Sequence, residues 1–345
     1  MAGMGSVSSL VWDGRGAVIS RNVPFAEISE LLRRDDVLSW VDLSGAEPQD
    51  LERLAGELGL DPMAVEDAVA HVERPKALRY ATHTFFTVYS ADFDASGLGN
   101  GAGGGSADEG SLAARIRLHK ISAFVFPRGL ITVRAPEFDV EALVQRWEDN
   151  ADLLGSGVGA LVHGLLDVVV DGHFEAVQSL DDTVEGIEDV LFDERVLARR
   201  VQRDTYRLRK ELVRLRRIVL PMREVVNGVL RHHREAGSSP ELDASYDDLY
   251  DHVLRVTEWT ESLRDMVTAI FETNLSLQDA RLNTVMKKLT GWAAIIAVPT
   301  AVTGFFGQNV PYPGYGTWWG FVASVVVMVG AGAALYIAFK RKEWI

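Results

Sequence analysis

The longest uncharged run is the feature that most constrains this chain. Its 345 residues include a stretch of 49, Gly291–Phe339, that contains no Asp, Glu, Lys or Arg. A bilayer core about 30 Å thick is crossed by about 20 apolar helical residues. The stretch is therefore long enough for two membrane spans, and we expect both near the C-terminus.

A turn divides this uncharged stretch. Residues 307–317 read GQNVPYPGYGT, and their prolines and glycines predict a loop. The first span is then 289–306 and the second is 318–339. Tryptophans suited to membrane interfaces stand near their ends, at Trp292, Trp318, Trp319 and Trp344. A buried helical hairpin in a soluble protein is the alternative, and the charges at the two outer ends argue against it.

Basic residues stand at both outer ends of the pair and are absent from the connecting loop. They are Lys287 and Lys288 before the first span, and Lys340, Arg341 and Lys342 in the tail 340–345. The positive-inside rule then places the N-terminal body and the C-terminus in the cytoplasm. We expect a multi-pass protein of the cell (inner or plasma) membrane. The N-terminus does not resemble a signal peptide, which agrees with this topology.

The rest of the chain is acidic. Residues 1–286 carry 30 basic and 48 acidic side chains, a net charge of −18. This balance argues against a nucleic acid partner and is compatible with binding cations. The absence of cysteine excludes disulfides, thiolate zinc sites and cysteine nucleophiles.

Residues 1–135 predict a cytoplasmic α/β domain. Strand-like runs are Ser39–Leu43, Thr84–Tyr89, Ile116–Phe126 and Leu130–Arg134, and helix-like runs are Pro48–Leu58 and Pro62–Ala70. A glycine-rich patch, Gly97–Gly110, contains a G-x-G-x-G string. No amphipathic helix opens after it, so a hairpin loop is the better interpretation than a dinucleotide site.

Residues 136–288 predict a cytoplasmic helical domain. An acidic helix ending near Leu191 precedes a basic block from Arg199 to Arg217, which favours an antiparallel hairpin with paired charges. Nucleic acid binding by the basic block is the alternative, and the neighbouring acids weaken it. Glu241–Phe306 then has no strong helix breaker, with only Gly291 and Pro299 as mild interruptions. It predicts one long stalk helix that continues into the first span.

Small or weakly polar residues recur on one face of that helix, at alternating steps of three and four. This stripe comprises Asn283, Met286, Thr290, Ala293, Ala297, Thr300, Gly304 and Gly307. Simple helix packing is one interpretation. The other is a pore lining, which needs several copies on a symmetry axis because two spans cannot enclose a pore. Met286 and Leu289 would then form an apolar constriction.

The loop offers candidate filter residues. Gly307, Gln308 and Asn309 follow the first span directly. A ring of Asn amide oxygens at a pore mouth suits a hydrated cation, and Mg²⁺ gives up its water reluctantly.

At this point the sequence resembles the CorA-type magnesium and cobalt transporter family over nearly its whole length. The matching segments are RPK at 74–76, LPMRE at 220–224, YDH at 250–252, FFGQN at 305–309, two terminal spans and the ending KRKEW at 340–344. The family signature is Gly-Met-Asn, and this chain has Gln308 in place of Met. Acidic residues that follow the motif in the family are missing here.

The resemblance implies a homopentamer with a cytoplasmic funnel of long helices, gated by divalent ions bound between subunits. It implies Asp94, Asp248 and Glu272 as regulatory metal ligands, and Mg²⁺ as both the transported and the regulatory ion, with no organic cofactor. The expected partners are further copies of the chain, the lipid bilayer and divalent cations.

The sequence as a whole therefore predicts a channel for Mg²⁺, with Co²⁺ as a further substrate, closed by cytosolic Mg²⁺. No Walker string supports ATP drive, and no histidine spacing supports a hydrolase. His232 and His233 are adjacent and make only a weak metal motif. A zinc transporter of the same fold and a non-conducting membrane sensor or scaffold remain as alternatives.

Overall fold

The computed structural model describes residues 6–45, 48–94, 115–192, 198–235, 237, 239–308 and 310–345. The chain divides into two compact units, Met1–Ile270 and Phe271–Ile345. Elements of an α/β region come first, followed by long helices and two helices able to span a membrane. This order confirms the predicted fold class. The glycine-rich patch Gly97–Gly110 lies outside the described residues.

The first unit contains a seven-stranded mixed sheet. Its strands are β1 (Ser6–Trp12), β2 (Val18–Arg21), β3 (Leu38–Ser44), β4 (Lys76–Arg79), β5 (Thr84–Asp94), β6 (Arg115–Val125) and β7 (Gly129–Arg134). The spatial order is β2-β1-β3-β7-β6-β5-β4. The pair β3 and β7 is parallel and the other described pairs are antiparallel.

Helices cover both faces of this sheet. Along the chain they are α1 (Ile28–Leu31), α2 (Pro48–Leu58), α3 (Pro62–Val69), α4 (Val140–Asp149), α5 (Ala151–Leu154), α6 (Val158–Leu191) and α7 (Ala198–Glu235). Side chains alternate between faces along a strand. Phe85 accordingly packs in the core with α2 and α3, while Phe86 packs in the core with α6 and α7. Both faces are thus sealed by apolar residues of the same chain.

The helices α6 and α7 pack against each other. The described ion pairs of α7 also reach the following helix, α8 (Pro240–Phe306). Arg216 pairs with Glu261, and Arg234 pairs with Asp243 and Asp247. The basic helix is therefore neutralised partly by α8, which the sequence did not indicate.

The helix α8 is 67 residues long and includes the first candidate span. In its early part, buried residues recur at alternating steps of four and three. They are Leu242, Tyr246, Leu249, Val253, Val256, Thr260, Leu263, Val267, Ile270 and Asn274. A loop then leads to α9 (Trp318–Arg341), where Thr317 caps the helix by accepting from the Gly320 N–H at 3.2 Å. The helix α9 is the second candidate span.

Candidate cation pathway and regulatory site

The predicted stripe lies on α8, and its members are exposed in the single chain. The exposed stripe residues of α8 are Asn283, Met286, Thr290, Ala293, Ala297, Thr300 and Gly304, and Leu289 is exposed as well. Met286 is 57% exposed and Leu289 is 62% exposed. These two large apolar side chains thus stand uncovered next to the two lysines that precede the first span.

A different face of α8 is the partly covered one. Within the first span, Gly291 is buried and Ile295, Val298 and Val302 are half-buried. On α9 the half-buried positions also recur at steps of three and four, and they are Ser324, Met328, Ala331, Leu335 and Phe339. The two helices approach at Gly291, where an added Cβ would lie 3.7 Å from the Phe339 ring. The small-residue stripe is consequently left free of the chain's own second span.

The hydroxyl groups near the stripe are bonded to the helix backbone. The Thr300 hydroxyl donates to the Ile296 carbonyl at 3.2 Å, and the Thr303 hydroxyl donates to the Pro299 carbonyl at 2.8 Å. The face therefore offers a neutral, weakly polar surface with no formal charge. A hydrated cation can pass such a surface without being held by it.

Gly307 follows the last residue of α8 at the mouth of the proposed pathway. Its N–H donates to the Thr303 carbonyl at 2.8 Å. A Cβ at this position would lie 2.8 Å from the same carbonyl oxygen, so any side chain would force the turn to move. Gln308 follows in an exposed position, with its N–H donating to the Phe305 carbonyl at 3.3 Å. Asn309 lies outside the described residues.

Aromatic residues hold the loop after the signature. The Tyr312 hydroxyl donates to the Phe306 carbonyl at 3.1 Å, and Phe306 is the last residue of α8. The Tyr312 ring also contacts the rings of Phe305, Phe306 and Tyr315, at centroid distances of 6.0, 5.2 and 5.4 Å. Ring packing thus orders this acid-free loop beside the mouth.

The three predicted regulatory acids occupy separate places in the fold. Asp94 ends β5, where its backbone pairs with Arg115, and its side chain lies outside the described part of the chain. Asp248 is on α8, with its Oδ2 3.7 Å from the His252 Nε2. Glu272 is exposed further along α8, in the second unit.

A cluster of potential metal ligands lies beside Asp248. Asp167 and Asp171 on α6 and His252 on α8 place ligand atoms within 4.8 Å of one another. It is the one such group found among the residues that the structure describes, and the sequence analysis did not select it. Two acids at i and i+4 on an apolar helix were a visible signal.

The positive charge of Arg146 offsets the negative charges of the two aspartates in this cluster. One guanidinium nitrogen pairs with Asp167, and the other lies 2.6 Å from the Asp171 Oδ2. Burial lowers the pKa of Arg146, but the Asp171 hydrogen bond and the two carboxylate charges outweigh it, so the pKa is raised. Nearby, burial lowers the pKa of His163 despite the raising charges of Asp167 and Asp248. An ion entering here would compete with the guanidinium.

The other residues singled out from the sequence are the basic residues at the span ends and the two adjacent histidines. Lys287, Lys288, Lys340, Arg341 and Lys342 are exposed, and the Lys340 ammonium lies 5.8 Å from the Tyr336 ring centroid. His232 and His233 are half-buried on α7, and burial lowers the pKa of both. Neither histidine belongs to the cluster of Asp167, Asp171 and His252 found among the described residues.

Comparison with protein families decides the relationship. A family model described as CorA-like Mg²⁺ transporter protein matches residues 35–341. The chain belongs to this family. It is therefore a divalent cation transporter of the CorA type, with two membrane-spanning candidates, and members of this family are transporters rather than enzymes.

Individual CorA relatives match over most of their length. The putative metal ion transporter YfjQ of Bacillus subtilis is 25% identical over 328 residues, which cover 94% of each chain. The cobalt/magnesium transport protein CorA of Thermotoga maritima is 25% identical over 311 residues, covering 89% of this chain and 83% of the relative.

Solved structures support the same fold. The complete structure of the CorA magnesium transporter from Methanocaldococcus jannaschii gives a TM-score of 0.70 at 20% identity, with 98% of each chain covered. The full-length CmaX protein gives 0.65 at 18% identity, with 99% of each chain covered. The CorA resemblance drawn from the sequence is thus confirmed.

Proposed function

We propose that several copies of this chain surround a pore lined by the stripe of α8 and conduct Mg²⁺ into the cytoplasm, with Co²⁺ as a further substrate. One observation carries the proposal: the stripe stays exposed while a different face of the same span is half-buried. In a hairpin whose two helices pack only on each other, this free face of small, neutral residues would have no packing partner. Symmetric copies that meet on that face would enclose a narrow path.

The proposed assembly is a homopentamer in the plasma membrane, with both termini in the cytoplasm. The family resemblance supports the number five, and the basic residues at the two outer span ends support the topology. An inside-negative potential then drives entry. At 100 mV it is worth about 4.6 kcal/mol for a divalent ion, so no ATP site is required.

We further propose that Gly307, Gln308 and Asn309 form the selectivity filter. The Gly307 N–H donates to the Thr303 carbonyl at 2.8 Å directly after α8, and Gln308 follows in an exposed position. Neutral amide groups at that point can bind the water shell of Mg²⁺ without stripping it. Met286 and Leu289 would form the constriction below.

Closure by cytosolic Mg²⁺ is the regulatory part of the proposal. Ions that bridge Asp94, Asp248 and Glu272 of neighbouring subunits would offset the repulsion between acidic surfaces, and their loss would loosen the funnel. Asp248 has the best local support, because its Oδ2 lies 3.7 Å from the Nε2 of His252, which forms the cluster with Asp167 and Asp171. The triple variant Asp94→Asn, Asp248→Asn, Glu272→Gln should need about tenfold more Mg²⁺ to close. Unchanged Mg²⁺ sensitivity would refute the sensor assignment.

The direct test is Mg²⁺ uptake into proteoliposomes that contain a fluorescent Mg²⁺ indicator, under an inside-negative potential. Wild-type protein should show uptake, and Asn309→Ala should reduce it at least tenfold. Gln308→Met, which restores the family signature, is the matched neighbouring change and should retain flux while altering ion preference. Absence of wild-type uptake of Mg²⁺ and Co²⁺ would favour a non-conducting sensor.

A zinc transporter is the second candidate, and His252 is the observation that favours it. Imidazole is a poor ligand for Mg²⁺ and a good one for Zn²⁺ and Co²⁺. Parallel Zn²⁺ and Mg²⁺ uptake in one preparation separates the candidates. Zn²⁺ uptake without Mg²⁺ uptake would select the second.

A further inference from the structure

The chain after α9 folds back on itself at its C-terminus. The Lys342 N–H lies 3.2 Å from the carbonyls of Ala338 and Phe339. Glu343 then adopts a left-handed conformation with φ of 57°, which reverses the chain direction. The Trp344 N–H donates to the Phe339 carbonyl at 2.9 Å. We call residues 342–345 the C-terminal hook.

Ring stacking fixes the hook in place. The rings of Phe339 and Trp344 are 5.4 Å apart between centroids and only 8° from parallel. The same two residues share the backbone hydrogen bond, so two independent contacts set the direction of the last residue. Ile345 is half-buried as a result.

The hook ends on a glycine of the first span. Gly291 is the single buried residue of α8 between 275 and 306, all of which the structure describes. A Cβ built on Gly291 would lie 3.1 Å from both Cδ1 and Cγ1 of Ile345, and 3.7 Å from the Phe339 ring. The absence of a side chain at 291 is what lets Ile345 approach the helix.

This contact stands at the level of the proposed constriction. Gly291 is two residues beyond Leu289 and five beyond Met286, so all three lie within about two turns of helix. Gly291 also continues the covered face of Ile295 and Val298, whereas Leu289 and Met286 are exposed. Pressure from Ile345 therefore acts on the side of the helix away from the stripe.

We propose that Gly291 and Ile345 are positioning residues for ion conduction. The hook fixes the first span at the height of Met286 and Leu289, and this spacing determines how tightly the closed pore seals. The inference rests on the proposed channel function and adds a determinant outside the pore. A larger residue at 291 displaces the span, and a smaller residue at 345 releases it.

The first experiment is a double-mutant test of this spacing. Gly291→Val should raise residual Mg²⁺ flux under closing Mg²⁺ about tenfold, which corresponds to about 1.4 kcal/mol in the open–closed balance. Ile345→Ala should raise it about threefold. The pair Gly291→Val, Ile345→Ala should return near wild type, because the added methyl groups occupy the space that Ile345 vacates. If each substitution merely destabilised the protein, the two effects on residual flux would add in the double variant instead of cancelling.

Gly330→Val is the matched control on α9. A Cβ at Gly330 meets nothing within 4 Å in the chain, so its residual flux should equal that of wild type. If Gly291→Val behaves like Gly330→Val while wild type conducts normally, the hook has no positioning role and the inference is overturned.

A second experiment reads the contact without relying on flux. The chain has no cysteine, so a Gly291→Cys, Ile345→Cys pair reports one disulfide unambiguously. We expect an intrachain bond, found by mass spectrometry after mild oxidation, and oxidised channels that stay shut at low Mg²⁺ until a reductant is added. No intrachain bond, or a bond without effect on a conducting channel, refutes the hook. A wild-type protein that conducts no ion refutes the proposed function instead, whatever the cross-link shows.

Discussion

The two ends of α8 share one periodicity and differ in what covers it. Up to Asn274 a stripe at steps of four and three is buried, and its first members, Leu242 to Val253, pack in the core with the sheet, α6 and α7. From Leu275 to Phe306 the same steps leave apolar residues exposed, with Gly291 as the buried exception. Periodicity alone therefore specifies a helix face, and the surroundings decide whether that face meets a core, lipid or another copy.

This difference also separates two kinds of stability. The first unit seals both faces of its sheet with its own side chains. In each candidate span only 6% of the most apolar window is buried within the chain. The second unit therefore has little core of its own within the chain, whereas the first is held by its own core.

The largest expected effect comes from truncating matched leucines on the two parts of α8. Leu263 is fully buried, and Leu263→Ala should lower the free energy of unfolding by about 2–5 kcal/mol. Leu282 is 64% exposed, and Leu282→Ala should leave it nearly unchanged. Thermal unfolding of detergent-solubilised protein, followed by circular dichroism, measures both. Equal losses for the two variants would contradict the comparison.

Acid should weaken the first unit specifically. His173 on α6 is fully buried and its Nε2 lies 2.7 Å from the Tyr89 carbonyl, and burial lowers its pKa to about 4. The unfolded chain binds a proton near pH 6.5, so this contribution is complete above pH 6.5 and is lost as pH falls towards 4. The full loss is on the order of 3 kcal/mol.

His173→Gln tests that assignment. The variant should be less stable at pH 7.5, and its melting temperature should fall less than that of wild type between pH 6.5 and pH 4.5. An unchanged pH slope would show that other groups carry the acid sensitivity.

A bulky residue on the free stripe should block conduction without unfolding the protein. Ala297 is exposed on the stripe, and Ala297→Phe should lower Mg²⁺ flux at least tenfold, about 1.4 kcal/mol in rate terms. Ala323→Phe, on an exposed position of α9, is the control and should keep flux within about twofold. Similar flux in the two variants would remove the distinction between the stripe and the rest of the membrane surface.

The smallest expected effect is at the aromatic loop. Tyr312→Phe deletes the hydrogen bond to the Phe306 carbonyl and keeps the ring contacts, a change of about 0.5–1.5 kcal/mol. We expect a modest shift in ion preference in the uptake assay, with assembly unchanged. Tyr315→Phe is the matched control in the same ring cluster. A preference identical to wild type would leave the loop with a purely packing role.

The sequence predicted the elements whose burial is patterned along the chain. The strands β3, β5, β6 and β7, the long helix and both spans carry strong apolar runs. The strands β2 and β4 were not anticipated because each has four residues and lies at a sheet edge, where exposed side chains remove the alternation. The opening serines of β1 hid its buried second half in the same way.

The site residues, too, could be predicted only where a local sequence pattern marks them. The stripe follows from helical geometry, so its residues could be named in advance. The pair Asp167 and Asp171 was visible as two acids at i and i+4, but the part of His252 was not, because it depends on how α6 packs against α8 across about 80 residues of sequence. The hook contact at Gly291 likewise depends on a turn at Glu343 that no local pattern signals.

Cysteine accessibility along α8 tests the central claim most directly, since the chain contains no native cysteine. Single Cys substitutions at Ala293, Ala297 and Thr300 on the stripe would be compared with Ala294 and Val298 on the covered face. A water-soluble, charged thiol reagent should block Mg²⁺ flux at the three stripe positions and not at the other two. Equal modification of both faces, or block only at Ala294 and Val298, would contradict a pore lined by this stripe.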